Sequence, residues 1–311
     1  MVRFRRIVLA FAVALPQVLN AWSCNGHHIV ALIAERHLND HARAAVEELL
    51  ISNPIDPALV RYCKDGDADP IVSSATWADD TKRVEGTGTW HYIDIPRSLT
   101  QGDVTRYCEP VGPMRGGSRP GCIVSAIHNQ LAVLRNGSAI DRARALRYVI
   151  HLIGDLHQPL HVTDNSDRGG NCVPLRFGAG AETTNLHSLW DYGLLDAALS
   201  ERHLTAEQLA GQWDSRYRKD SEAWGTREAD LERWVWEIHD VAIETTYGKL
   251  RPAVPVEPPI PTSDCAAESA KVRALNIVAA KEYEQAAMEV IELLLARAGY
   301  RLAGLLNEVW P

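Results

Sequence analysis

The sequence predicts an all-α fold, organised as a single mostly helical domain with a small β-hairpin. Three observations predict this fold. Apolar residues recur at helical spacing along most of the chain, strand patterns are sparse, and neither a repeat nor an alternation of strands and helices is present. The composition, 46% hydrophobic and 23% charged over 311 residues, is typical of a globular protein with a sizeable core. It argues against a wholly disordered, collagen-like or coiled-coil chain.

The N-terminal residues 1–21 predict a secretory signal peptide. A basic start with three arginines precedes an uncharged apolar run from Ile7 to Leu15, which is too short to span a bilayer comfortably. Cleavage after Ala21 would leave residues 22–311 and, because the leader holds three arginines and no acid, would change the formal charge from −8 to −11. We therefore expect a secreted or periplasmic protein without a later membrane span.

The acidic net charge argues against one class of nucleic-acid-binding protein. A protein that holds nucleic acid mainly by Coulomb attraction is usually basic, so a net charge of −8 argues against that class. It does not exclude an enzyme that binds phosphate through metal ions.

Six cysteines suit an exported protein. They form no CxxC motif and are irregularly spaced, which favours disulfides over a cysteine zinc site, although buried thiols are an alternative. Their pairing stays open, because six cysteines allow 15 connectivities. The cysteines are Cys24, Cys63, Cys108, Cys122, Cys172 and Cys265.

The predicted helices begin close behind the leader. Residues 27–38 and 41–51 form a pair separated by a tight break, where Asn39 or Asp40 can cap the second helix. The other stretches with helical spacing are 123–135, 141–155, 187–199, 204–215, 229–247 and 267–306.

Three features interrupt this helical pattern. Residues 172–177 follow a Gly-Gly turn and predict a strand of a small hairpin. The proline-rich residues 252–261 predict a surface connection within one domain. Gly299 predicts a division of the last stretch, which is longer than an ordinary helix.

Two histidine–aspartate pairs carry the functional argument. His151 and Asp155 are four residues apart on a helix that is apolar nearly all round, so they share a buried face. Two interpretations of this pair are open: a hydrogen bond between the two side chains in the core, or shared binding of a metal ion. His187 and Asp191 repeat the geometry on another predicted helix, and two such pairs favour a metal. Nitrogen and carboxylate ligands without thiolates are typical of zinc in a catalytic site.

The phrase between these pairs is ambiguous. His157 and His161 have the spacing of a helical metal pair, but Pro159 breaks the helix and the two rings should point differently. The protease motif HExxH is absent because Gln158 replaces the glutamate. We therefore expect only one of the two histidines to be a ligand.

Other candidates are isolated in the sequence. Asp79, His91 and His27 are weak signals individually, since such residues are commonly structural or solvated. Three tryptophans next to proposed ligands are expected to wall the site: Trp77, Trp90 and Trp190.

Taken in chain order, these phrases resemble the secreted three-zinc nucleases of the S1/P1 type, also called single-strand-specific or type I nucleases. The matching phrases are Trp22…His27, Trp77-Ala78-Asp79, Trp90-His91-Tyr92-Ile93-Asp94, His151-(x3)-Asp155-(x5)-His161, Gly169-Gly170-Asn171 and Asn185-Leu186-His187-(x3)-Asp191. The resemblance implies the helical scaffold that these nucleases share with zinc phospholipase C.

The resemblance also implies three zinc ions per chain. One ion would be held by Asp79, His91, His151 and Asp155. Its neighbour would be held by His27, Asp155 and the amino and carbonyl groups of Trp22. The third would be held by His161, His187 and Asp191. Because Trp22 has a free amine only after cleavage, we expect the precursor to be inactive or poor in metal at that site.

Substrate contacts follow from the same resemblance. Tyr92 would stack on a base, Asp94 would accept hydrogen bonds from that base, and Lys82 would reach a phosphate. Asn171 would orient the attacking water or a phosphate oxygen, and Arg168 is a further phosphate candidate or simply exposed. The catalytic residues would be Asp79, Asp155 and Asn171.

The function that the resemblance implies is a secreted zinc-dependent endonuclease that cleaves RNA and single-stranded DNA to 5′-phosphorylated products and also acts as a 3′-nucleotidase.

 The ions would activate a water that attacks phosphorus in line. Three zinc ions contribute +6 against −3 from three aspartates, which leaves a cationic cluster in an acidic protein. We expect a monomer whose partners are single-stranded DNA, RNA and 3′-nucleotides.

Two alternatives stay open. A zinc phospholipase C would use the same cluster on lipid headgroups, but that family usually has glutamate where this chain has Asp191. It also lacks the phrases around Tyr92 and Asn171. A non-catalytic exported zinc-binding protein is the second alternative. The remaining histidines are expected to be structural or on the surface, with His157 a candidate to orient Asp155: His28, His37, His41, His128, His157, His203 and His239.

Overall fold

Helices dominate the computed structural model, which describes residues 22–63, 69–178, 182–259 and 265–311. This confirms the predicted all-α class. The predicted signal peptide lies outside the described residues. The α-helices are α1 (Cys24–Arg36), α2 (Asp40–Ser52), α3 (Pro70–Ser74), α4 (Trp77–Glu85), α5 (Ile123–Asn136), α6 (Ala139–Leu156), α7 (Leu186–Ser188), α8 (Leu194–Arg202), α9 (Ala206–Tyr217), α10 (Leu231–Val241), α11 (Cys265–Arg273) and α12 (Lys281–Val309).

Shorter helical turns complete the architecture. Two π-helical segments continue regular helices, so residues 186–202 and 231–247 are each helical throughout. The 3₁₀ turns are Gly88–His91, Val104–Tyr107, Pro159–His161, Asp220–Ala223 and Glu228–Asp230, and the π-helical segments are Leu189–Gly193 and Ala242–Tyr247.

Helix α6 lies at the centre of the molecule. Its N-terminus is capped by Ser138, whose side chain accepts a hydrogen bond from the Asp141 amide. Every residue from Ala145 to Leu156 is buried, as the apolar pattern predicts. Helices α1, α4, α5 and α12 pack around it, so any polar group on α6 must find its partner inside the protein.

The C-terminal helices correct one prediction. Gly299 does not divide the last stretch, because α12 runs through it without interruption. A Cβ atom at Gly299 would lie 2.6 Å from Ile33 Cβ, so the glycine permits close packing of α12 on α1. The division falls instead between α11 and α12. There the Arg176 amide donates to the Ile277 carbonyl at 3.0 Å, and the Ala279 amide donates to the Arg176 carbonyl at 2.9 Å.

The predicted hairpin is present and positions part of the site. Strand β1 (Pro174–Phe177) pairs with the antiparallel strand β2 (Glu182–Asn185). Asn185 ends β2 and caps α7, since its side chain accepts a hydrogen bond from the Ser188 amide at 2.8 Å. The hairpin therefore leads directly into the helix that carries His187.

Disulfides join all six cysteines, as the exported composition predicts. Within the predicted connection 252–261, the described residues 252–259 form neither helix nor strand. No helix among the described residues is long and apolar enough to cross a membrane. The disulfides are Cys24–Cys63, Cys108–Cys122 and Cys172–Cys265.

Candidate metal centre

Three groups of histidine and aspartate side chains meet inside the helical domain. Within each group, the nitrogen and carboxylate donor atoms lie within 4.8 Å of one another. The groups contain all the side chains that the sequence nominated as metal ligands. They are His27, His151 and Asp155; Asp79, His91 and His151; and His161, His187 and Asp191.

Asp155 belongs to the first group and also lies against both histidines of the second. One carboxylate oxygen lies 2.9 Å from His91 Nδ1 and 3.1 Å from His151 Nε2, and the other lies 3.3 Å from His27 Nε2. The side chain is fully buried. Asp79 completes this part of the site, with a carboxylate oxygen 3.7 Å from His91 Nδ1. Asp155 is therefore placed to serve both groups.

His27 is held by stacking and not by hydrogen bonds. Its ring lies parallel to that of His151, with centroids 4.1 Å apart and planes 15° apart. The ring also lies against Gly154 on α6, where a Cβ atom would lie 2.8 Å from His27 Nδ1. The absence of a side chain at Gly154 thus makes room for the imidazole.

The third group lies where the hairpin meets the turn after α6. His187 Nε2 is 3.2 Å from one oxygen of Asp191, and His161 Nε2 is 3.9 Å from the other. The two rings are stacked, with centroids 5.1 Å apart. Gln158 fixes Asp191 by donating from its side-chain amide at 2.6 Å.

Backbone carbonyls orient three of the imidazoles. In each case Nδ1–H donates to a main-chain oxygen, which leaves Nε2 directed toward the other donors of its group. This is the arrangement that holds metal-binding histidines in the correct tautomer. The pairs are His151 with Ala75 at 2.7 Å, His161 with His91 at 2.8 Å, and His187 with Gly169 at 2.7 Å.

The donor atoms fit a cation. Both ring nitrogens of His27, His91 Nε2 and one oxygen of Asp155 are buried and have no hydrogen-bond partner among the described residues. His151 Nε2 also lies only 3.1 Å from His91 Nδ1. Two imidazole nitrogens this close need a proton or a metal ion between them, because their lone pairs would otherwise face each other. All cysteines are in disulfides, so the available ligands are nitrogen and oxygen, a set that suits zinc.

Burial and neighbouring charges shift the pKa values of the donor side chains. Burial, followed by the positive charge of the neighbouring His151, lowers the pKa of His27 to about 4. Burial also opposes the charged form of His151, but the carboxylates of Asp155 and Asp79 outweigh it and raise its pKa to about 9. Burial raises the pKa of Asp191 well above its usual range. The three buried carboxylates therefore require compensating positive charge at the site.

A cleft of about 530 Å³ opens above the groups, and His91, His161 and His187 line it. The predicted substrate-binding residues also line this cleft. Tyr92 is 38% exposed there, so one face of its ring is accessible. The other lining residues from the prediction are Lys82, Asp94, Arg168 and Asn171.

Two of these side chains have partners that set their position. Lys82 Nζ lies 2.9 Å from a carboxylate oxygen of Asp79, so this ion pair holds the ammonium next to the second donor group. Asn171 donates its side-chain amide to the Arg168 carbonyl at 2.8 Å, and its Oδ1 has no hydrogen-bond partner among the described residues. Burial and the nearby Asp164 raise the pKa of Asp94 to about 6.

Comparison with known proteins places the chain in a family. The sequence model described as S1/P1 Nuclease matches residues 22–311. The chain belongs to the S1/P1 nuclease family. It is 28% identical to Nuclease S1 of Aspergillus oryzae, over 96% of this chain and 96% of that protein. It is 26% identical to Nuclease P1 of Penicillium citrinum, over 93% and 97%. It is 29% identical to Endonuclease 2 of Arabidopsis thaliana, over 71% and 70%.

As an S1/P1 nuclease, the protein is an enzyme that hydrolyses the phosphodiester bonds of nucleic acids. Its N-terminal segment lies close to the third group, since the Ser23 amide donates to the Asp191 carbonyl at 2.8 Å. Trp22 is completely buried and packs against Gly26.

His157 does not orient Asp155, which the sequence analysis gave as one possible role for it. His157 does not contact the Asp155 side chain. Its Nδ1 donates to the Ile153 carbonyl at 2.8 Å, and its Nε2 accepts from Arg301 at 3.0 Å. Helix α6 ends at Leu156, and the following turn Pro159–His161 directs only His161 into the site.

The tryptophans support the nuclease site from behind. None of them lines the cleft. Trp190 donates to Tyr283 at 2.7 Å, Trp90 donates to the Pro120 carbonyl at 3.2 Å, and Trp77 packs edge-on against Tyr148. They fix the helices that carry the ligands, and do not form an inner wall.

Some functional groups of the nuclease escaped the sequence analysis. In the sequence, Gln158 indicates only that the protease motif HExxH is absent. In the structure it is buried and donates a hydrogen bond to Asp191, so it positions that carboxylate. Its place between two histidines was the available signal. The carbonyls of Ala75 and Gly169 left no signal, because every residue has a carbonyl.

Proposed function

We propose that this protein is a secreted zinc-dependent endonuclease that cleaves RNA and single-stranded DNA, leaves 5′-phosphorylated products and removes phosphate from 3′-nucleotides. The observation that carries the proposal is the meeting of three buried donor groups beneath one open cleft. Membership in the S1/P1 nuclease family supports the same reaction class.

The proposal includes three zinc ions, each with its own set of ligands. Asp79, His91, His151 and Asp155 would hold the first. His27 and Asp155 would hold the second, together with the amino and carbonyl groups of Trp22 in the mature chain. His161, His187 and Asp191 would hold the third. The buried unpaired atoms of His27, His91 and Asp155 support this assignment, because an isolated imidazole or carboxylate in the core is costly.

When bound, zinc supplies a water of lowered pKa and Lewis-acid stabilisation of phosphate charge. The chain itself binds and orients the substrate. The accessible face of Tyr92 stacks on a base, and Asp94 beside it accepts hydrogen bonds from the same base. Unpaired strands are preferred because a base must leave its stack to reach Tyr92.

The polar groups at the cleft act on the phosphate. Lys82 directs its ammonium along the edge formed by Asp79 and donates to a phosphate oxygen. Asn171, anchored through its amide on the Arg168 carbonyl, uses Oδ1 to orient the attacking water. Asp79 and Asp155 hold the reacting centre through their carboxylates.

Export and maturation belong to the same proposal. Residues 1–21 act as a leader, and their removal gives Trp22 the free amine that the second site uses. The start of the family match at residue 22, the burial of Trp22 and the three disulfides support this order of events. The mature protein acts as a monomer outside the cytoplasm.

The experiment measures metal and activity on the mature protein. Zinc content is determined by mass spectrometry, and nucleotide release from denatured DNA and from RNA is followed before chelation, after chelation and after zinc is returned. We expect about three zinc ions per chain and 5′-mononucleotides as products, with activity lost on chelation and restored by zinc.

Other outcomes would contradict the proposal in distinct ways. Zinc-replete protein that hydrolyses phosphatidylcholine but no polynucleotide would identify a phospholipase. Retained zinc without hydrolysis of either substrate would identify a zinc-binding protein. Full activity in the absence of metal would exclude the assigned centre.

A further inference from the structure

A second groove adjoins the metal cleft on the far side of Tyr92. It has a volume of about 690 Å³, within the range of about 300–1,000 Å³ typical of ligand sites. The two share four lining residues, so an occupant of the cleft reaches the groove without crossing a closed wall. The shared residues are Thr89, Tyr92, Asp94 and Ser118.

The outer wall of this groove is fixed to the part of the chain that carries His91. The Arg119 carbonyl accepts from Thr89 Oγ1 at 3.1 Å, and the Pro120 carbonyl accepts from Trp90 Nε1 at 3.2 Å. The Tyr92 carbonyl accepts from the Ile123 amide at 3.0 Å. The Cys108–Cys122 disulfide closes the loop that forms the wall. The groove is therefore preformed in a constant position relative to the metal groups.

Two arginines give the wall its cationic groups. Arg119 Nε donates to the Glu85 carbonyl at 3.1 Å, which fixes its guanidinium beside the groove. Arg115 is exposed at the base of a two-glycine turn, where its amide pairs with the Ser118 carbonyl at 2.7 Å. No described residue forms a side-chain hydrogen bond or an ion pair with Arg115.

The remaining chemistry of the groove suits a base. Tyr107 lines it and is partly buried, so its ring is positioned by the loop. An aromatic face and a cation are the pair of features by which proteins hold single strands without reading their sequence. The acidic Glu109 also lines the groove, but its side chain is exposed and solvated.

We propose that this groove is a subsite for the nucleotides that flank the one stacked on Tyr92, with Arg115 contacting a flanking phosphate and Tyr107 a flanking base. The proposal rests on the proposed nuclease function. It makes the enzyme favour longer single strands over dinucleotides, because only a longer strand fills both the cleft and the groove.

The test compares chain lengths in the zinc-loaded mature enzyme. kcat/KM is measured for oligothymidylates of two and six residues, as a function of salt, in wild type and in R115A, R115K and R106A. Arg106 is an exposed arginine of the preceding 3₁₀ turn Val104–Tyr107 that does not line the groove, so R106A is the matched control. Arg115 is exposed, so its replacement leaves the core unchanged.

We expect wild type to prefer the hexanucleotide. R115A should lower kcat/KM for the hexanucleotide about 2–5-fold more than for the dinucleotide, the loss typical of one exposed charge contact. The slope of log kcat/KM against log salt concentration should fall by about 0.7, as expected for one lost phosphate contact on a single strand. R115K should retain most of the preference, and R106A should behave as wild type.

Two results would overturn the subsite. Wild type without a length preference would show that the groove binds no flanking nucleotide, and R115A with the wild-type preference and salt slope would remove Arg115 from it. Failure of the proposed function has another signature, since the wild-type enzyme would then cleave neither oligonucleotide.

Discussion

Replacement of Gly154 by alanine should disable one metal site while leaving the fold intact. The added Cβ would lie 2.8 Å from Nδ1 and 3.1 Å from Cε1 of His27. The ring has no room to retreat, because His151 is stacked on it with a centroid distance of 4.1 Å. Either His27 or helix α6 must therefore move.

The size of the movement follows from the contact. Ordinary van der Waals contact begins at 3.4 Å, so His27 Nδ1 must shift by about 0.6 Å. Metal–ligand distances are tolerated only within about 0.2 Å, so the shift exceeds what a zinc ligand can absorb. We expect zinc affinity at the His27 site to fall at least about 10–100-fold, the loss typical of weaker, indirect disturbances of a ligand.

The fold should tolerate the change. Overpacking costs about 1–3 kcal/mol, and replacement of a helical glycine by alanine returns about 0.5–1 kcal/mol. The assay measures zinc per chain after dialysis, release of nucleotides from denatured DNA, and the thermal midpoint. Gly211→Ala is the control, because Gly211 is also helical and its added Cβ would meet only Arg36 Nη2 at 3.9 Å. Wild-type zinc content and activity in G154A would refute the reasoning.

Three further predictions follow from the same geometry. Asp155→Asn removes the carboxylate that faces His27 of one group and His91 of the next and should lower bound zinc by about two ions per chain, whereas Asp191→Asn should lower it by about one; equal small losses in metal analysis would contradict the shared role. A chain whose leader cannot be removed should be inactive or poor in metal at the Trp22 site, and full activity of the purified uncleaved protein would disprove this. Arg301→Met leaves His157 Nε2 without its donor and Glu237 with only Arg233 as an ion-pair partner, so the free energy of unfolding should fall by about 1–3 kcal/mol while zinc content is unchanged; thermal denaturation with metal analysis checks both.

The sequence predicted the long helices well because their apolar residues repeat at helical spacing. Helix α4 was not predicted, since only Trp77, Ala78 and Thr81 are buried in a short and highly charged segment. The division between α11 and α12 depends on pairing of Ile277 and Ala279 with Arg176. Such a contact between distant parts of the chain leaves no local pattern.

The side chains of the candidate site were more predictable than their grouping. The two i, i+4 pairs on helices give His151 with Asp155 and His187 with Asp191, and the structure keeps both pairs together. Spacing alone could not show that His27 stacks on His151 or that Asp155 lies between two groups. These relations depend on how α1 and α4 pack against α6, which is a tertiary property.

The charge of the whole chain is a poor guide to the potential at the cleft. The formal charge is −8, but two of the acids, Asp155 and Asp191, are buried among imidazoles. Lys82 and Arg168 line the cleft, and Arg115 and Arg119 line the adjoining groove. A polyanion approaching this face therefore meets these cations at short range, within the Debye length of about 8–10 Å, although Asp94, Asp164 and Glu109 line the same surfaces. Added salt should consequently weaken binding of long strands more than that of 3′-nucleotides, because only the long strands reach the arginines of the groove.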